Sequence, residues 1–391
     1  KGMPSLAGLF FWMNIKLENI KKLHVTKPLK LECGKTIRDF PVAYETYGKL
    51  NDNKDNAILI FHALTGDQFV TGTNPITNKE GWWATAVGSG KAIDTNKYFV
   101  ICANVIGGCM GSFGPRNINP DTKKPYGLDF PVITIKDMVR AQESLLEHFG
   151  IKKLLCATGG SMGGMQLLQF CATFPDKAFS SIPIACSSSH SAQNIALNEL
   201  ARQAIMADPV WDNGKYVLKN VQPKNGLAVA RMVGHISYLS EKGMQEKFGR
   251  KLQEKADYEF SFDADFQVES YLRHQGYAFV ERFDANSVLY ITRAMDYFDL
   301  SKQFKGGLVE AFKNQKTKFL IISFSSDWLY TTKDNKDIVI ALNASGADVS
   351  YSEIITDKGH DSFLLDEPEF LKTLKGFIDS MYEKFKNEKR I

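Results

Sequence analysis

Six short runs of apolar, β-prone residues recur along the chain, and they constrain its fold more than any other feature. They span residues 57–62, 98–105, 153–158, 181–185, 319–324 and 349–355. Continuous runs of this kind are typical of strands that are buried on both faces, as in a parallel sheet. Residues 29–47, which are interrupted at Gly34 and Pro41, predict an antiparallel entry to that sheet.

A helical pattern separates two of these runs. Between residues 135 and 149 the apolar positions have helical spacing, and Gly150 follows as a C-cap. Residues 369–385 show the same kind of amphipathic spacing. Strands that alternate with helices predict an α/β fold with a mostly parallel, doubly wound sheet.

The alternation breaks between residues 187 and 303, where no clear strand pattern occurs and helix-like segments span 192–207 and 226–239. We interpret this stretch as a helical cap, or lid, inserted between core strands. The predicted organisation is therefore a first core part at 14–186, the cap at 187–303 and a second core part at 304–391. A chain of 391 residues is long enough for such a core with an insertion.

Composition narrows the classes of function. Lys and Arg together number 48 and Asp and Glu 44, a net charge of +4 without a basic block, so nucleic acid is not an expected partner. The six cysteines form neither CxxC pairs nor metal-ligand spacing, which predicts reduced, buried thiols, no metal site and a cytoplasmic protein. The apolar segment 6–13 is too short to span a bilayer and lacks a basic start, so no membrane association is expected.

The candidate nucleophile is Ser161, in the sequence Thr-Gly-Gly-Ser-Met-Gly-Gly of residues 158–164. This G-x-S-x-G pattern directly follows an apolar run and precedes a helix-like segment at 162–174, as in a nucleophile elbow. Small neighbours allow the tight strand-to-helix turn, and the N–H group of Met162 at the helix start would stabilise an oxyanion. A phosphate-binding glycine turn is the alternative, but no P-loop Lys-Ser/Thr pair follows it.

A serine hydroxyl needs a base, and the base needs an acid that orients it. Of the four histidines after Ser161, His360 follows the last apolar run, whereas the other three lie in the predicted cap. Asp327 follows the fifth run, at the end of its strand, and is the preferred acid. Asp357 is the alternative, although its closeness to His360 leaves little chain to bring it behind the imidazole.

The second oxyanion donor is expected from the loop after an early strand. Residues 62–66 follow the first apolar run, and the N–H group of Leu64 is our candidate. We interpret the neighbouring His62 as a structural residue, with a role as a ligand as the alternative.

Further motifs accompany this constellation in a definite order. In order along the chain, they are His-Ala-Leu-Thr-Gly at 62–66, Gly-Trp-Trp at 81–83, Asn-Val-Ile-Gly-Gly-Cys at 104–109, Gly-Pro at 114–115, Gly-Gly-Ser-Met-Gly-Gly at 159–164, Arg-Met-Val-Gly-His-Ile-Ser-Tyr at 231–238, Arg-Phe-Asp-Ala-Asn-Ser at 282–287, Arg-Ala-Met-Asp at 293–296 and Gly-His-Asp-Ser-Phe at 359–363. Over about residues 30–380 the chain resembles the homoserine O-acetyltransferase family of enzymes with the α/β-hydrolase fold.

This resemblance implies an acyltransferase that moves an acetyl group from acetyl-CoA to L-homoserine through a seryl acyl-enzyme, for methionine biosynthesis. It assigns Ser161 as the nucleophile, Asp327 as the acid and His360 as the base, with Arg231 and Asp361 as substrate-binding residues. It also implies a homodimer built through the helical cap. No tightly bound cofactor is expected, since acetyl-CoA acts as a co-substrate.

The chemistry of homoserine fits these assignments. Its carboxylate suits a guanidinium such as Arg231, and its ammonium suits a carboxylate such as Asp361 beside the base. A surface ion pair and an ordinary loop carboxylate are the alternative roles of these two residues. We interpret Arg282 and Asp284 as a scaffold ion pair.

The glycine-rich loop at 104–115 lacks G-x-G-x-x-G spacing and is expected to shape an acyl or pantetheine tunnel by close backbone approach. Two interpretations of Trp82 and Trp83 stay open: they line that tunnel, or they are core aromatic residues.

Three competing functions share parts of this pattern. Within the family, succinyl-CoA could replace acetyl-CoA as the donor, and serine could replace homoserine as the acceptor. An esterase or thioesterase has the same elbow and triad without needing a clamp for a zwitterion. A non-catalytic binding protein on the same scaffold is disfavoured, because all three triad residues are present in chain order.

Overall fold

The computed structural model describes residues 17, 19–255 and 257–388. The apolar segment 6–13 and the first residues of the predicted core lie outside this part of the chain. The strands of the described residues are β1 (Lys22–Val25), β2 (Leu29–Lys30), β3 (Thr36–Ile37), β4 (Phe40–Tyr47), β5 (Ala57–Phe61), β6 (Val87–Gly88), β7 (Ile93–Asp94), β8 (Phe99–Ala103), β9 (Leu154–Gly160), β10 (Ala178–Ile184), β11 (Lys318–Phe324) and β12 (Val349–Ile354).

The helices connect these strands and pack on the sheet that they form. In the described residues they are α1 (Ile135–Phe149), α2 (Met162–Thr173), α3 (Ala192–Ala207), α4 (Lys224–Tyr238), α5 (Glu241–Lys247), α6 (Gln267–Val280), α7 (Ala285–Asp296), α8 (Gly307–Ala311), α9 (Thr332–Ala344) and α10 (Pro368–Glu388). Short 3₁₀ segments lie at Gly127–Asp129, Pro209–Lys219 and Gly359–Phe363.

Within the described part of the chain, eight strands form the central sheet, in the order β1-β4-β8-β5-β9-β10-β11-β12. The six strands from β8 to β12 in this order are parallel, and they are formed by the six apolar runs. β4 pairs antiparallel with β1 and with β8, which confirms the antiparallel entry for β4. β2 and β3 form a separate antiparallel pair, so that part of the expected entry lies outside the central sheet.

Both faces of the sheet are covered, which explains why its strands are continuously apolar. Leu59 and Phe61 of β5 pack on the side of α1, α2 and α9, whereas Ile58 and Ile60 pack on the side of α10. The prediction of a mostly parallel, doubly wound α/β sheet is confirmed. Gly150 ends α1 with a φ of +64°, as its place after the helical pattern indicates.

The stretch between β10 and β11 is helical and contributes no strand to the central sheet among its described residues. In it α4 packs between α3 and α6, and Tyr238 at the end of α4 reaches the ring of His360, 5.9 Å away between centroids. These helices therefore lie above the carboxyl edge of the sheet, where the parallel strands end.

In the described residues, no helix has the length and apolar character needed to cross a membrane, and no group of His, Cys, Asp or Glu side chains could hold a metal ion. All six cysteines are free thiols, as expected, and five of them are buried. Cys33 is exposed, which corrects the expectation of uniform burial, because it lies in the turn between β2 and β3 rather than in a strand.

Candidate active site

Ser161 lies between the last residue of β9 and the first residue of α2. Its φ of 59° and ψ of −126° are unfavourable for a residue with a side chain, so the surrounding structure must hold this backbone in place. The N–H group of Ser161 donates to the Ile184 carbonyl of the adjacent β10 at 3.0 Å. The result is a sharp strand-to-helix turn that presents the hydroxyl at the edge of the sheet.

Close packing of α2 against β5 explains the glycines around this serine. A Cβ atom at Gly163 would lie 2.1 Å from the Phe61 carbonyl oxygen, and a Cβ at Gly159 would lie 2.7 Å from the same atom. Both distances are far below van der Waals contact, so neither position accepts a side chain without moving backbone. The glycines therefore permit the approach that places the start of α2 beside the end of β5.

Asp327 and His360 form a buried pair at the same edge of the sheet. Asp327 follows β11, His360 lies in the 3₁₀ segment after β12, and the distance from His360 Nδ1 to Asp327 Oδ2 is 2.7 Å. The other carboxylate oxygen, Oδ1, accepts hydrogen bonds from the N–H groups of Leu329 and Tyr330, at 2.9 and 3.0 Å. Asp357, the alternative acid, instead forms an exposed ion pair with Lys242 at 3.2 Å.

Three effects determine the protonation of His360. Burial lowers the pKa of the imidazole, but the charge of Asp327 and its hydrogen bond outweigh burial, and Asp361 adds to the rise. The pKa of His360 is therefore above its ordinary value of 6.5. An imidazole of raised pKa binds a proton more readily, which suits a general base.

The hydroxyl of Ser161 contacts the phenol of Tyr330, and in the described residues no hydrogen bond joins it to His360. The Tyr330 hydroxyl lies 2.9 Å from Nε2 of His190, whose Nδ1 lies 3.0 Å from an oxygen of Asp296. The ring of Tyr330 also lies 5.1 Å from that of His360, between centroids. Tyr330 thus contacts all three candidate triad residues.

Sequence reasoning missed Tyr330, His190 and Asp296. One signal was present, because Tyr330 is three residues from Asp327 on the same loop, and its backbone N–H bonds to that carboxylate. His190 and Asp296 come from different connections, after β10 and at the end of α7, and no local pattern joins them.

Leu64 and Met162 carry the two candidate oxyanion donors. Leu64 is the second residue of a turn closed by the hydrogen bond from Gly66 N–H to the Ala63 carbonyl at 2.9 Å, and Met162 is the first residue of α2. Neither N–H group donates a hydrogen bond within the described structure. The N-terminal dipole of α2 adds positive potential near Met162.

His62 has protein partners at both ring nitrogens. Its Nδ1 lies 2.7 Å from the Ala63 carbonyl oxygen, and its Nε2 accepts from the Val105 N–H at 3.1 Å. Burial lowers the pKa of His62 to about 4, so the ring is neutral at neutral pH. These contacts tie the loop after β5 to the loop after β8, which is the structural role preferred for this residue.

Arg231 extends from α4 toward the same turn. Its Nη1 donates to the Thr65 hydroxyl at 3.1 Å, and its guanidinium lies 5.0 Å from the centroid of Phe279. Asp361 directly follows His360. Burial raises the pKa of Asp361, whereas the charges of His360 and Arg231 oppose that rise, so the two candidate substrate-binding residues share one electrostatic environment.

Ser161 and Arg231 line one cavity, and its remaining lining is mostly apolar and comes mainly from the helices above the sheet. The role expected for the loop at 104–115, to shape an acyl or pantetheine tunnel, stays a prediction. None of its residues lines the cavity, and a Cβ at Gly107 would instead collide with the buried Ile133 at 2.3 Å. This loop packs into the core.

Trp82 and Trp83 also lie outside this cavity, which favours their interpretation as core aromatic residues. They stack 5.5 Å apart, and the Trp83 indole donates to the Phe363 carbonyl at 2.7 Å, in the segment that carries His360. The expected ion pair between Arg282 and Asp284 does not form in the described residues. Asp284 caps α7 instead.

Comparisons with known proteins agree with this architecture. A family model for the alpha/beta hydrolase fold matches residues 56–367. The homoserine O-acetyltransferase of Pelagibacter ubique (strain HTCC1062) is 69% identical, over 95% of this chain and 100% of that protein. The homoserine O-acetyltransferase of Mesorhizobium japonicum is 60% identical, over 90% of this chain and 91% of that protein.

Solved structures show the same relationship. The crystal structure of homoserine O-acetyltransferase from Bacillus anthracis matches with a TM-score of 0.83 and 30% identity, over 92% of this chain and 96% of that one. The crystal structure of esterase E22 matches with a TM-score of 0.81 and 29% identity, over 92% and 99% of the two chains. With relatives up to 69% identical over most of its length, this chain belongs to the homoserine O-acetyltransferase family of the α/β-hydrolase fold.

Proposed function

We propose that the protein transfers an acetyl group from acetyl-CoA to the hydroxyl of L-homoserine, which yields O-acetyl-L-homoserine for methionine biosynthesis. The observation that carries the proposal is the buried pair of His360 and Asp327, 2.7 Å apart, at the sheet edge that also presents Ser161. The identity of 69% to a homoserine O-acetyltransferase supports the choice of substrates.

In the first half-reaction, the Ser161 oxygen attacks the thioester carbonyl of acetyl-CoA while His360 accepts the serine proton. Asp327 holds the imidazole by its Nδ1–H and stabilises the imidazolium. The N–H groups of Leu64 and Met162 stabilise the oxyanion of the tetrahedral intermediate. The C–S bond then breaks, the proton passes from His360 to the leaving sulfur, and CoA departs from the acetylated serine.

In the second half-reaction, L-homoserine enters with its carboxylate on Arg231 and its ammonium on Asp361. Because Asp361 is adjacent to His360, this placement directs the distal hydroxyl to the base. His360 accepts the hydroxyl proton as the oxygen attacks the acetyl carbonyl. Collapse of the second tetrahedral intermediate breaks the bond to Ser161, and the proton returns to the serine oxygen.

Transfer requires that homoserine reach the acyl-enzyme faster than water does. We interpret residues 187–303 as a cap that limits access of water to Ser161. The mostly apolar lining of the cavity supports this interpretation. The likeness to esterase E22 favours one second candidate, an esterase, because the same triad performs both reactions.

A matrix of rates with two donors and two acceptors tests the substrates. Acetyl-CoA and succinyl-CoA are combined with L-homoserine and L-serine, and CoA release is measured with and without the acceptor. The proposal predicts the fastest release with acetyl-CoA and homoserine, and strong dependence on homoserine. Equal CoA release without homoserine would favour the hydrolase, and a faster reaction with succinyl-CoA or serine would reassign the substrates.

The covalent step has its own test. Ser161→Ala should give no acetyl adduct when the protein is mixed with acetyl-CoA alone and examined by intact-mass spectrometry, because the attacking oxygen is lost. Wild-type protein should gain one acetyl group under the same conditions. An adduct that persists on Ser161→Ala would exclude this serine as the nucleophile.

We also propose a homodimer formed through the cap, a cytoplasmic location and no tightly bound cofactor. Exposed apolar side chains on α3 and α4, namely Leu200, Val229 and Ile236, support contact with a second copy. Light scattering should give twice the molar mass of the chain, and substitution of Val229 by Glu should shift it toward the monomer.

A further inference from the structure

We infer that Arg282 is a positioning residue for the oxyanion site, because its guanidinium holds the turn that carries the Leu64 N–H group. Its Nη1 donates to the Thr65 carbonyl at 2.9 Å, across 217 positions of sequence. The inference rests on the proposed function of Leu64 as an oxyanion donor. It gives a role to the motif at 282–287, which the reaction scheme above leaves unused.

The turn of residues 63–66 has few internal constraints. One backbone hydrogen bond closes it, and Leu64 and Thr65 at its centre have no regular secondary structure. From the core side it is tied through His62, whose carbonyl accepts from Gln166 of α2 at 3.0 Å. On the opposite side, the Thr65 carbonyl is tied by Arg282 alone among the described residues.

Arg282 is itself well held. It follows α6, and its guanidinium lies 5.2 Å from the centroid of Phe279, the ring that also contacts Arg231. Burial lowers the pKa of Arg282 to about 10, with the charge of Arg231 adding to the effect and that of Asp67 opposing it. The group therefore stays cationic at neutral pH, and a charged donor makes a stronger hydrogen bond to a carbonyl than a neutral one.

Two arginines thus converge on Thr65. Arg231 donates to its hydroxyl at 3.1 Å, and Arg282 donates to its carbonyl. In the proposed scheme Arg231 binds the acceptor carboxylate, so Thr65 lies between the acceptor site and the oxyanion site. Arg282 has the distinct task of fixing the backbone, and its loss should affect acylation even when no acceptor is present.

Position matters because an oxyanion donor acts over a narrow range of distance. Loss of one such donor typically lowers kcat by about 10²–10³-fold, and displacement of a catalytic group by about 1 Å can cost about 10²-fold. Without the hydrogen bond from Arg282 to the Thr65 carbonyl, we expect the turn to remain folded but the Leu64 N–H group to be displaced. We therefore expect a loss of ~10- to 100-fold in the rate of acylation for Arg282→Met.

The experiment measures acylation of full-length protein by two donors without homoserine. CoA release from acetyl-CoA is followed by stopped flow, and p-nitrophenol release from p-nitrophenyl acetate is followed in parallel. Both reactions use the oxyanion site, whereas only the first uses CoA. Arg282→Met should slow both by a similar factor, and the KM for homoserine in steady state should change by less than about threefold, since Arg231 is intact.

Arg273→Met is the matched control. Arg273 lies on α6 and also donates to a backbone carbonyl, that of Phe262, but on the exposed surface. The Arg273→Met protein should be acetylated by both donors at the wild-type rate. Arg282→Lys, which keeps the charge but not the planar fork, should recover part of the rate. Rates are normalised to the folded fraction from thermal melts, so that reduced folding is not counted as slower chemistry.

The outcomes separate the inference from the proposed function. If wild-type protein forms no acetyl adduct with either donor, the proposed reaction fails. If wild type acylates and Arg282→Met acylates equally fast per folded molecule, the positioning role is overturned. It is also overturned if the loss appears only in the KM for homoserine, because Arg282 would then act on the acceptor.

Discussion

The edge of the sheet and the helices above it contribute to the site in different ways. Each of the three candidate triad residues comes soon after a parallel strand: Ser161 follows β9, Asp327 follows β11 and His360 follows β12. Their positions follow from the backbone, since parallel strands end at one edge. Short, buried contacts then orient the side chains, such as the 2.7 Å bond between His360 and Asp327.

The helical region contributes through long side chains instead. Arg231 of α4 and Arg282 after α6 both extend down to the turn after β5, and both end on Thr65. A solved esterase shares this architecture at a TM-score of 0.81, so the fold as a whole does not select the reaction. We therefore expect variants at the sheet edge to impair chemistry with either acceptor. Among the two arginines, we expect Arg282 to support that chemistry through the backbone of the turn and Arg231 to govern the choice of acceptor.

Asp327→Asn should have the largest effect. An amide at this position no longer stabilises the imidazolium and favours the wrong tautomer, so kcat should fall by roughly 10³- to 10⁴-fold for CoA release. The charge of Asp327 helps to raise the pKa of His360, so its removal lowers that pKa. Because the proposed base, His360, can accept a proton only when it is neutral, the acid limb of the residual rate should move to lower pH.

A pH series of kcat with saturating acetyl-CoA and homoserine measures this shift. Asp357→Asn is the matched control, since its carboxylate pairs with Lys242 at the surface, and it should leave the profile unchanged. If Asp327→Asn keeps the wild-type acid limb, the observed base is a group other than His360, and the contrast between the sheet edge and the helices above it loses its basis.

Arg231→Met should have the second largest effect, and that effect should be on the binding of homoserine. Truncating one partner of a buried charged pair typically costs about 2–5 kcal/mol, so the KM for homoserine should rise on the order of 10²-fold. Acylation by acetyl-CoA alone loses only the contact with the Thr65 hydroxyl, and one hydrogen bond of about 1 kcal/mol limits that loss to less than about tenfold.

Thr65→Val serves as the control for that second contact, because it removes the hydroxyl and keeps the carbonyl that Arg282 binds. Steady-state KM and single-turnover acylation are measured for both variants. If Arg231→Met instead lost acylation and acceptor affinity equally, Arg231 would support the chemistry as Arg282 does, and its assignment to the acceptor alone would be overturned.

Most of the fold followed from local patterns. Strands buried on both faces are continuously apolar, so the six parallel strands stood out, and the glycines around Ser161 marked the turn between β9 and α2. The ends of strands were less well predicted. The fourth run was expected at 181–185, yet β10 spans Ala178–Ile184, because Ser180 is fully buried in the strand despite its hydroxyl group.

The residues of the site at the sheet edge were predicted better than those that reach it from the helices above. Asp327 and His360 were predicted from their places after strands, and the structure brings their side chains within hydrogen-bond distance. The partner of Arg282 was predicted wrongly, since sequence proximity suggested Asp284, whereas the guanidinium binds a carbonyl 217 positions away. Such contacts depend on how the helices lie above the sheet, and no short-range pattern in one sequence encodes that arrangement.

Tyr330→Phe should have the smallest effect on acylation. It tests a hydrogen-bonded contact between the sheet edge and the helices above it. Tyr330 follows β11, but its hydroxyl lies 2.9 Å from His190, which is bound to Asp296 of α7. If Asp296 holds the proton of His190 on Nδ1, the Tyr330 hydroxyl donates to Nε2 and can accept from Ser161. Removing one neutral hydrogen bond of about 0.5–1.5 kcal/mol should slow acylation by about 2- to 10-fold.

Phenylalanine retains the ring that packs 5.1 Å from His360, so the lost hydroxyl is the main change. Single-turnover CoA release measures the effect, and His190→Gln should reproduce it, since His190 Nε2 lies 2.9 Å from the Tyr330 hydroxyl and forms no hydrogen bond with Ser161 in the described residues. A rise in KM for homoserine with unchanged acylation would place Tyr330 with the acceptor-binding residues. A loss of acylation with unchanged KM would show that Tyr330, His190 and Asp296 of α7 support the chemistry at the sheet edge.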